Sequence, residues 1–193
     1  MLDSLIAGLT PSYQGEARWG PQIHLSVRVF PCAQPPPAHL ITSVRGVVFK
    51  GAQVVVVDDG IDSHVMPGGR IEPAETIGQT LARELREECG WSIPAPRLFA
   101  MICFRHLSAR PENYRYPYPD FLHLLFVGEA GDYRRSGLKR AGEIETGSRL
   151  VPISRALTTL SLEQQTILRL AMVARSSLSS PVKRSGTGEG NRA

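Results

Sequence analysis

Glu84, Glu87 and Glu88 stand at i, i+3 and i+4 of a segment in which Ile77, Leu81 and Leu85 recur every four residues. At about 100° per residue that spacing predicts a helix over Thr76 to Cys89, with the three carboxylates projecting within an arc of roughly 100°. Like charges at helical spacing repel by ~0.2–0.5 kcal/mol per pair, so something must offset them. A hard divalent cation does so, because Mg²⁺ takes oxygen ligands and commonly combines a few carboxylates with substrate phosphates and water. Arg83 and Arg86 could do so as well, and on an arbitrary helix a solvated face of mixed charge is the more frequent outcome. Two features favour the cation. Pro67-Gly68-Gly69 breaks the chain just upstream, and glycine lets backbone approach a ligand at no steric cost. Glu75 lies about two turns ahead of Arg83 on nearly the same face, where it could hold the arginine that in turn orients Glu87, a support that metal ligands commonly have.

The elements around this helix follow from period and punctuation. Ile23, Leu25, Val27 and Val29 alternate with other residues as in a half-buried strand. Gln34 to Pro37 is a proline-rich connector. Ile41 to Phe49 and Val54 to Val57 are β-branched runs, the second continuous enough to be covered on both faces. Asp58-Asp59-Gly60 through Ser63 reads as a turn and Pro67-Gly68-Gly69 as a second break. Gly90 is placed to cap the helix in the left-handed region. Arg97 to His106 and Phe121 to Val127 have strand character. A last helix spans Leu162 to Ala174, with Leu162, Ile167, Leu168, Leu170 and Ala171 on its inner face. Strands mixed with helices predict a layered α/β domain. Residues 1–38 form an extension with a strand and the proline-rich connector, 39–175 the main domain, and 176–193 a disordered basic tail.

Composition narrows the function classes. The 193 residues are 42% hydrophobic and 21% charged, ordinary globular usage. The formal net charge is +4. Arg175, Lys183, Arg184 and Arg192 against Glu189 place most of that excess from residue 175 onward, at and beyond the start of the Ser- and Gly-rich tail. No specific nucleic-acid binding is expected from a charge so placed. Cys32, Cys89 and Cys103 are odd in number and far apart, as in a reducing compartment rather than a disulfide framework. Neither a leader at Met1 to Thr10 nor a membrane span is visible, so a cytoplasmic, non-membrane protein is expected.

Gly69, Glu75 and the run Arg83-Glu84-Leu85-Arg86-Glu87-Glu88-Cys89-Gly90-Trp91 resemble the complete Nudix box, Gly-x5-Glu-x7-Arg-Glu-U-x-Glu-Glu-x-Gly-U, where U is bulky and apolar. The flanks agree, with Pro67-Gly68-Gly69 leading to Glu72. Two positions depart from common usage: His64 stands where many members have tryptophan, and Trp91 where the apolar residue is usually aliphatic. The resemblance implies the Nudix α/β/α sandwich around a mixed sheet. It further implies hydrolysis of a pyrophosphate bond in a nucleoside diphosphate linked to another group, with a nucleotide sugar such as ADP-ribose or a nucleoside triphosphate as substrate. Glu84, Glu87 and Glu88 would bind Mg²⁺, with Mn²⁺ able to substitute and the Gly69 carbonyl a further ligand. Glu75 and Arg83 would orient them. Glu84 is the preferred general base, with Glu88, Glu143 and Glu145 as alternatives. Many members dimerise, which makes a homodimer a candidate assembly. Nudix-like modules that bind a nucleotide without cutting it are the rival reading, although such modules typically lose a box glutamate. Diphosphate isomerisation on the same fold needs a catalytic cysteine in a setting that Cys89 and Cys103 do not supply.

Outside the box, Arg45, Arg70, Arg105 and Arg115 are candidate phosphate contacts, since a guanidinium matches phosphate oxygens in a bidentate way. The loop Tyr114-Arg115-Tyr116-Pro117-Tyr118-Pro119-Asp120 could stack a base through Tyr118 or its neighbours, or simply pack on the sheet. His64, at the lip of the box, is a structural or solvated residue with the option of a hydrogen bond to phosphate.

Overall fold

The computed structural model describes residues 2–58, 62–134, 140–141, 144–145 and 147–177. Helix α1 (Leu2–Leu5) precedes strands β1 (Tyr13–Trp19) and β2 (Ile23–Pro31). A 3₁₀ turn, Ala38–Leu40, then leads into β3 (Ile41–Lys50), β4 (Gln53–Asp58), β5 (Ser63–His64) and β6 (Gly68–Arg70). Helix α2 (Ile77–Glu88) is followed by β7 (Arg97–His106) and β8 (Asp120–Glu129). The short pair β9 (Arg140–Ala141) and β10 (Ile144–Glu145), β11 (Gly147–Pro152), α3 (Ile153–Thr159) and α4 (Leu162–Ser176) complete the described chain.

Among the described residues, one mixed sheet runs β1-β2-β7-β8-β3-β4-β11, with β5 added to β4 and β6 to β3. Strands β3 and β8 are parallel and the other neighbours along this path antiparallel. A parallel pair requires a crossover, and the chain between β3 and β8 supplies it with α2. Side chains of a strand alternate between faces, and β4 shows the consequence. Val54 and Val56 join the core that contains Ile167, Leu168 and Ala171 of α4. Val55 and Val57 join the core beneath Leu81 and Leu85 of α2. The unbroken valine run is thus a strand covered on both faces, and the architecture is the α/β/α sandwich.

Local chemistry sets the limits of α2. Thr76 and Gln79 form a capping box at its start, and Cys89 with Gly90, at φ +75°, ends it. Several expectations need correction. The extension 1–38 contains α1 and β1 besides the expected strand, and β1 hides in sequence because its Gln14, Glu16 and Arg18 face outward on an edge strand. Pro67-Gly68-Gly69 is not only a break, because Gly68–Arg70 pairs with Ser43, Val44 and Arg45. Leu162 is 70% exposed instead of inward. The inward position of that first turn belongs to Gln164, whose Oε1 accepts the Val65 amide at 3.1 Å, because Gln164 stands one helical step before Ile167 and Leu168. Strand β11 and α3 are further additions, since a mixed polar strand running into Pro152 gives no clean period. Residues 59–61 of the expected turn lie outside the described residues. Ser176 and Ser177 close α4, and the remainder of the expected tail, 178–193, likewise lies outside them. Among the described residues no helix is long and apolar enough to cross a membrane.

Candidate active site

The polar side of α2 faces β6. Glu84 is 4% exposed, an unusual depth for a carboxylate unless it is partnered. Gly69 lies directly against it: a Cβ at this position would fall on the Glu84 carboxyl group. Gly68, at φ +147°, is as constrained, since a side chain there would strike the Val44 carbonyl oxygen. Gly69 thus lets β6 pack onto the carboxylate face of α2, and Gly68 lets it pair closely with β3. The Gly68 amide donates to Glu88 Oε2 at 2.8 Å, and Ser43 Oγ donates to the Gly69 carbonyl at 2.7 Å. The helix face and the strand are thereby locked together.

Arg83 occupies the centre of the acidic group. It donates to Glu75 through Nε at 2.7 Å and Nη2 at 2.9 Å, to Glu84 Oε1 at 2.7 Å and to Glu87 Oε2 at 3.4 Å. Its Nη2 also reaches the Arg70 carbonyl at 3.2 Å. Arg86 instead turns to the backbone carbonyls of Gly90 and Asp132, so of the two arginines only Arg83 enters these contacts with the carboxylates. Hydrogen bonds from Arg83 and then Thr80 hold the Glu75 carboxyl at a pKa of about 2, far below its ordinary 4.5. A depressed carboxylate stabilises the fold above its unfolded pKa and loses that contribution as acid protonates it. The stability advantage of wild type over Glu75→Gln should therefore be constant above pH about 4.5 and shrink as pH falls toward about 2. Paired thermal melts across that range check it, and a gap that persists at the acid end removes the ion pair as its source.

Beside Gly69 lies a cavity of about 260 Å³ whose wall includes Ser43, Arg45, Arg70 and His123. Arg45 Nη1 donates to the Met66 carbonyl at 3.1 Å. Arg70 donates to the Tyr116 hydroxyl and sits 4.4 Å from the centroid of that ring. Burial, with Arg45 and Arg70 adding to it, holds His123 well below the usual imidazole range, so it is neutral. Arg105 does not line this cavity. It pairs with Asp120 at 2.7 Å and Asp3 at 2.9 Å, tying α1 to the sheet. Tyr118 does not line it either: its hydroxyl donates to the Ser108 carbonyl at 3.2 Å, and Tyr114 and Tyr116 face the cavity instead. Arg115 is exposed and also outside the wall. His64 Nδ1 accepts the Met66 amide at 3.3 Å, a local turn contact. Glu143 and the side chain of Glu145 lie outside the described residues.

Residues 39–171 match the NUDIX domain family. The chain belongs to that family. A search of curated proteins finds no match. Among solved structures, the pyrophosphohydrolase BsRppH of Bacillus subtilis superposes with a TM-score of 0.57 at 14% identity, over 86% of this chain and 98% of the other. A NUDIX hydrolase from Nitrosomonas europaea superposes at 0.53 and 17% identity, over 70% of this chain and 89% of the other. At these identities the likeness is one of fold.

The donor set of this Nudix hydrolase can be tested against the divalent cation that the family uses. Among the described residues, no group of three or more His, Cys, Asp and Glu side chains is already drawn into a metal cage. Arg83 lies between Glu84 and Glu87 and partly satisfies both. The chemistry nevertheless fits a hard ion: carboxylate and carbonyl oxygens, without nitrogen or sulfur, with the Glu84 carboxyl group in the space that a Cβ at Gly69 would take. The thiols do not contribute. Burial pushes Cys89 and Cys103 each up to about 12, and both lie in the core under α2.

Proposed function

We propose that this Nudix hydrolase cuts the pyrophosphate bond of a nucleoside diphosphate linked to another moiety, using Mg²⁺, with Mn²⁺ able to substitute. A nucleotide sugar such as ADP-ribose, or a nucleoside triphosphate, is the substrate class. The observation that carries this reading is the junction at Gly69, which lies against the Glu84 carboxyl group of α2 and also lines the cavity walled by Arg45 and Arg70. Glu84, Glu87, Glu88 and the Gly69 carbonyl would hold the cation, which when bound supplies charge neutralisation of the diphosphate and a more acidic water. Arg83, fixed by Glu75, orients Glu84 and Glu87. Arg45 and Arg70 take phosphate oxygens. Glu84, nearly enclosed and beside the arginine, accepts the proton of the attacking water, which bonds to phosphorus as the bridging P–O bond breaks. Arg105 and Tyr118 act at one remove, by holding α1 and the loop Pro111 to Asp120 against the sheet. The substrate is a small molecule, with no specific nucleic-acid binding, and a homodimer suits the family.

A panel of ADP-ribose, dinucleotides and nucleoside triphosphates, scored for phosphate release with and without phosphatase, tests the reading. Turnover of at least one member is expected, lost on chelation with EDTA and restored by Mg²⁺ or Mn²⁺. Nucleotide binding with no turnover of any member would instead assign a non-catalytic module.

A further inference from the structure

The cavity beside Gly69 has two chemically different ends. Gly69, Ser43, Arg45 and Arg70 make one of them polar and cationic. Trp19, Ile23 and Phe121 make the other apolar, and the strand order β1-β2-β7-β8-β3, with β6 paired to β3, sets the two groups apart across the sheet. Trp19 is 42% exposed but not loose. Its ring packs against Phe104 at 5.2 Å, Phe121 at 5.8 Å and His123 at 6.1 Å between centroids. It is the last residue of edge strand β1, paired across the hairpin with Ile23, and it also lines a smaller adjoining cavity together with Arg45 and His123. Tyr114 and Tyr116 line the larger cavity from the loop before β8. They are held by their hydroxyls, Tyr114 sharing a hydrogen bond of 2.9 Å with His106 Nε2 and Tyr116 accepting from Arg70. Trp19 and Ile23 belong to the segment ahead of the family-matched residues 39–171.

We infer that the apolar end is a nucleobase subsite and that Trp19, supplied by the β1–β2 hairpin outside the family domain, is its stacking platform. This rests on the hydrolase reading, because the cationic end is where the diphosphate would sit. A rigid indole with one face packed and part of its surface open is what stacks a base regardless of sequence. Neutral His123 adds one donor and one acceptor to the wall. The volume of about 260 Å³ falls below the ~300–1,000 Å³ of sites that enclose drug-sized ligands. One nucleoside end therefore fits, and the group on the far side of the diphosphate lies outside this cavity.

Nucleoside monophosphates and base-free ribose 5-phosphate are the probes, with calorimetry and tryptophan fluorescence on the full chain. Nucleoside monophosphates should bind and change the fluorescence, whereas ribose 5-phosphate should leave it unaltered. Trp19→Ala should weaken monophosphate binding about 10–100-fold, the range for loss of one base–aromatic stack, without altering affinity for ribose 5-phosphate. Trp19→Phe should recover most of the affinity yet lose the fluorescence change. In turnover, Trp19→Ala should raise KM with kcat nearly constant. Equal losses for both probes, wild-type monophosphate affinity in Trp19→Ala, or a fluorescence change that survives in Trp19→Phe would overturn the subsite. Should Trp19→Ala fail to fold, the Trp19→Phe fluorescence decides. A Trp19-dependent signal without hydrolysis of any substrate would sink the hydrolase reading alone. Hydrolysis with an unaltered KM in Trp19→Ala would sink the subsite alone.

Discussion

Replacing Glu88 by Gln is expected to lower metal-dependent turnover by roughly 10²–10⁴-fold and to leave the melting temperature close to that of wild type. The two halves of this expectation have separate causes. Glu88 Oε2 accepts the Gly68 amide at 2.8 Å, and a glutamine side-chain oxygen still accepts such a bond, so the tie between α2 and β6 survives. What disappears is a full negative charge among the oxygens proposed to hold the cation. Steady-state rates across a Mg²⁺ titration, with a thermal melt as control, measure both. Wild-type turnover in this variant would remove Glu88 from the site.

Arg83→Ala should cost about 10–100-fold in metal affinity or activity, the usual penalty for losing a residue that supports metal ligands. A single guanidinium here bridges Glu75, Glu84, Glu87 and the Arg70 carbonyl. Without it the carboxylates lose the guanidinium that bridges them, and Glu84, already buried, loses a hydrogen bond of 2.7 Å. Arg83→Lys should not restore function, because one ammonium cannot serve a fork that meets Glu75 with two nitrogens. Calorimetric Mg²⁺ binding alongside kcat separates this positioning role from plain destabilisation. An Arg83→Ala protein that folds and binds Mg²⁺ as wild type does would dismiss the role.

The elements that were legible share a cause. Helix α2, with its capping box and stripe of Ile77, Leu81 and Leu85, is specified by neighbours within four residues. Strand β4 reads as valines because both faces are covered. The misread elements lacked such local signals. Strand β1 is an edge strand with a solvated face, β6 is two glycines and an arginine whose strand character comes from β3, and the inward turn of α4 is set by Gln164 reaching Val65. A polar residue on an inner face gives no hydrophobic signal, and its partner is far away along the chain.

By itself the sequence determined the acidic helix, its supporting Glu75 and Arg83 and the glycines before it, because box chemistry depends on spacing within one short stretch. Only the tertiary structure decided which aromatics and arginines wall the cavity beside Gly69. Trp19 rather than Tyr118 walls the cavity, Arg45 and Arg70 line it, and Arg105 is bound to Asp120 and Asp3. Those outcomes depend on strand register, which brings Ser43 beside Arg70 and Arg105 beside Asp120. Register is a property of the packed sheet as a whole, since a slip of one residue would turn every side chain to the opposite face.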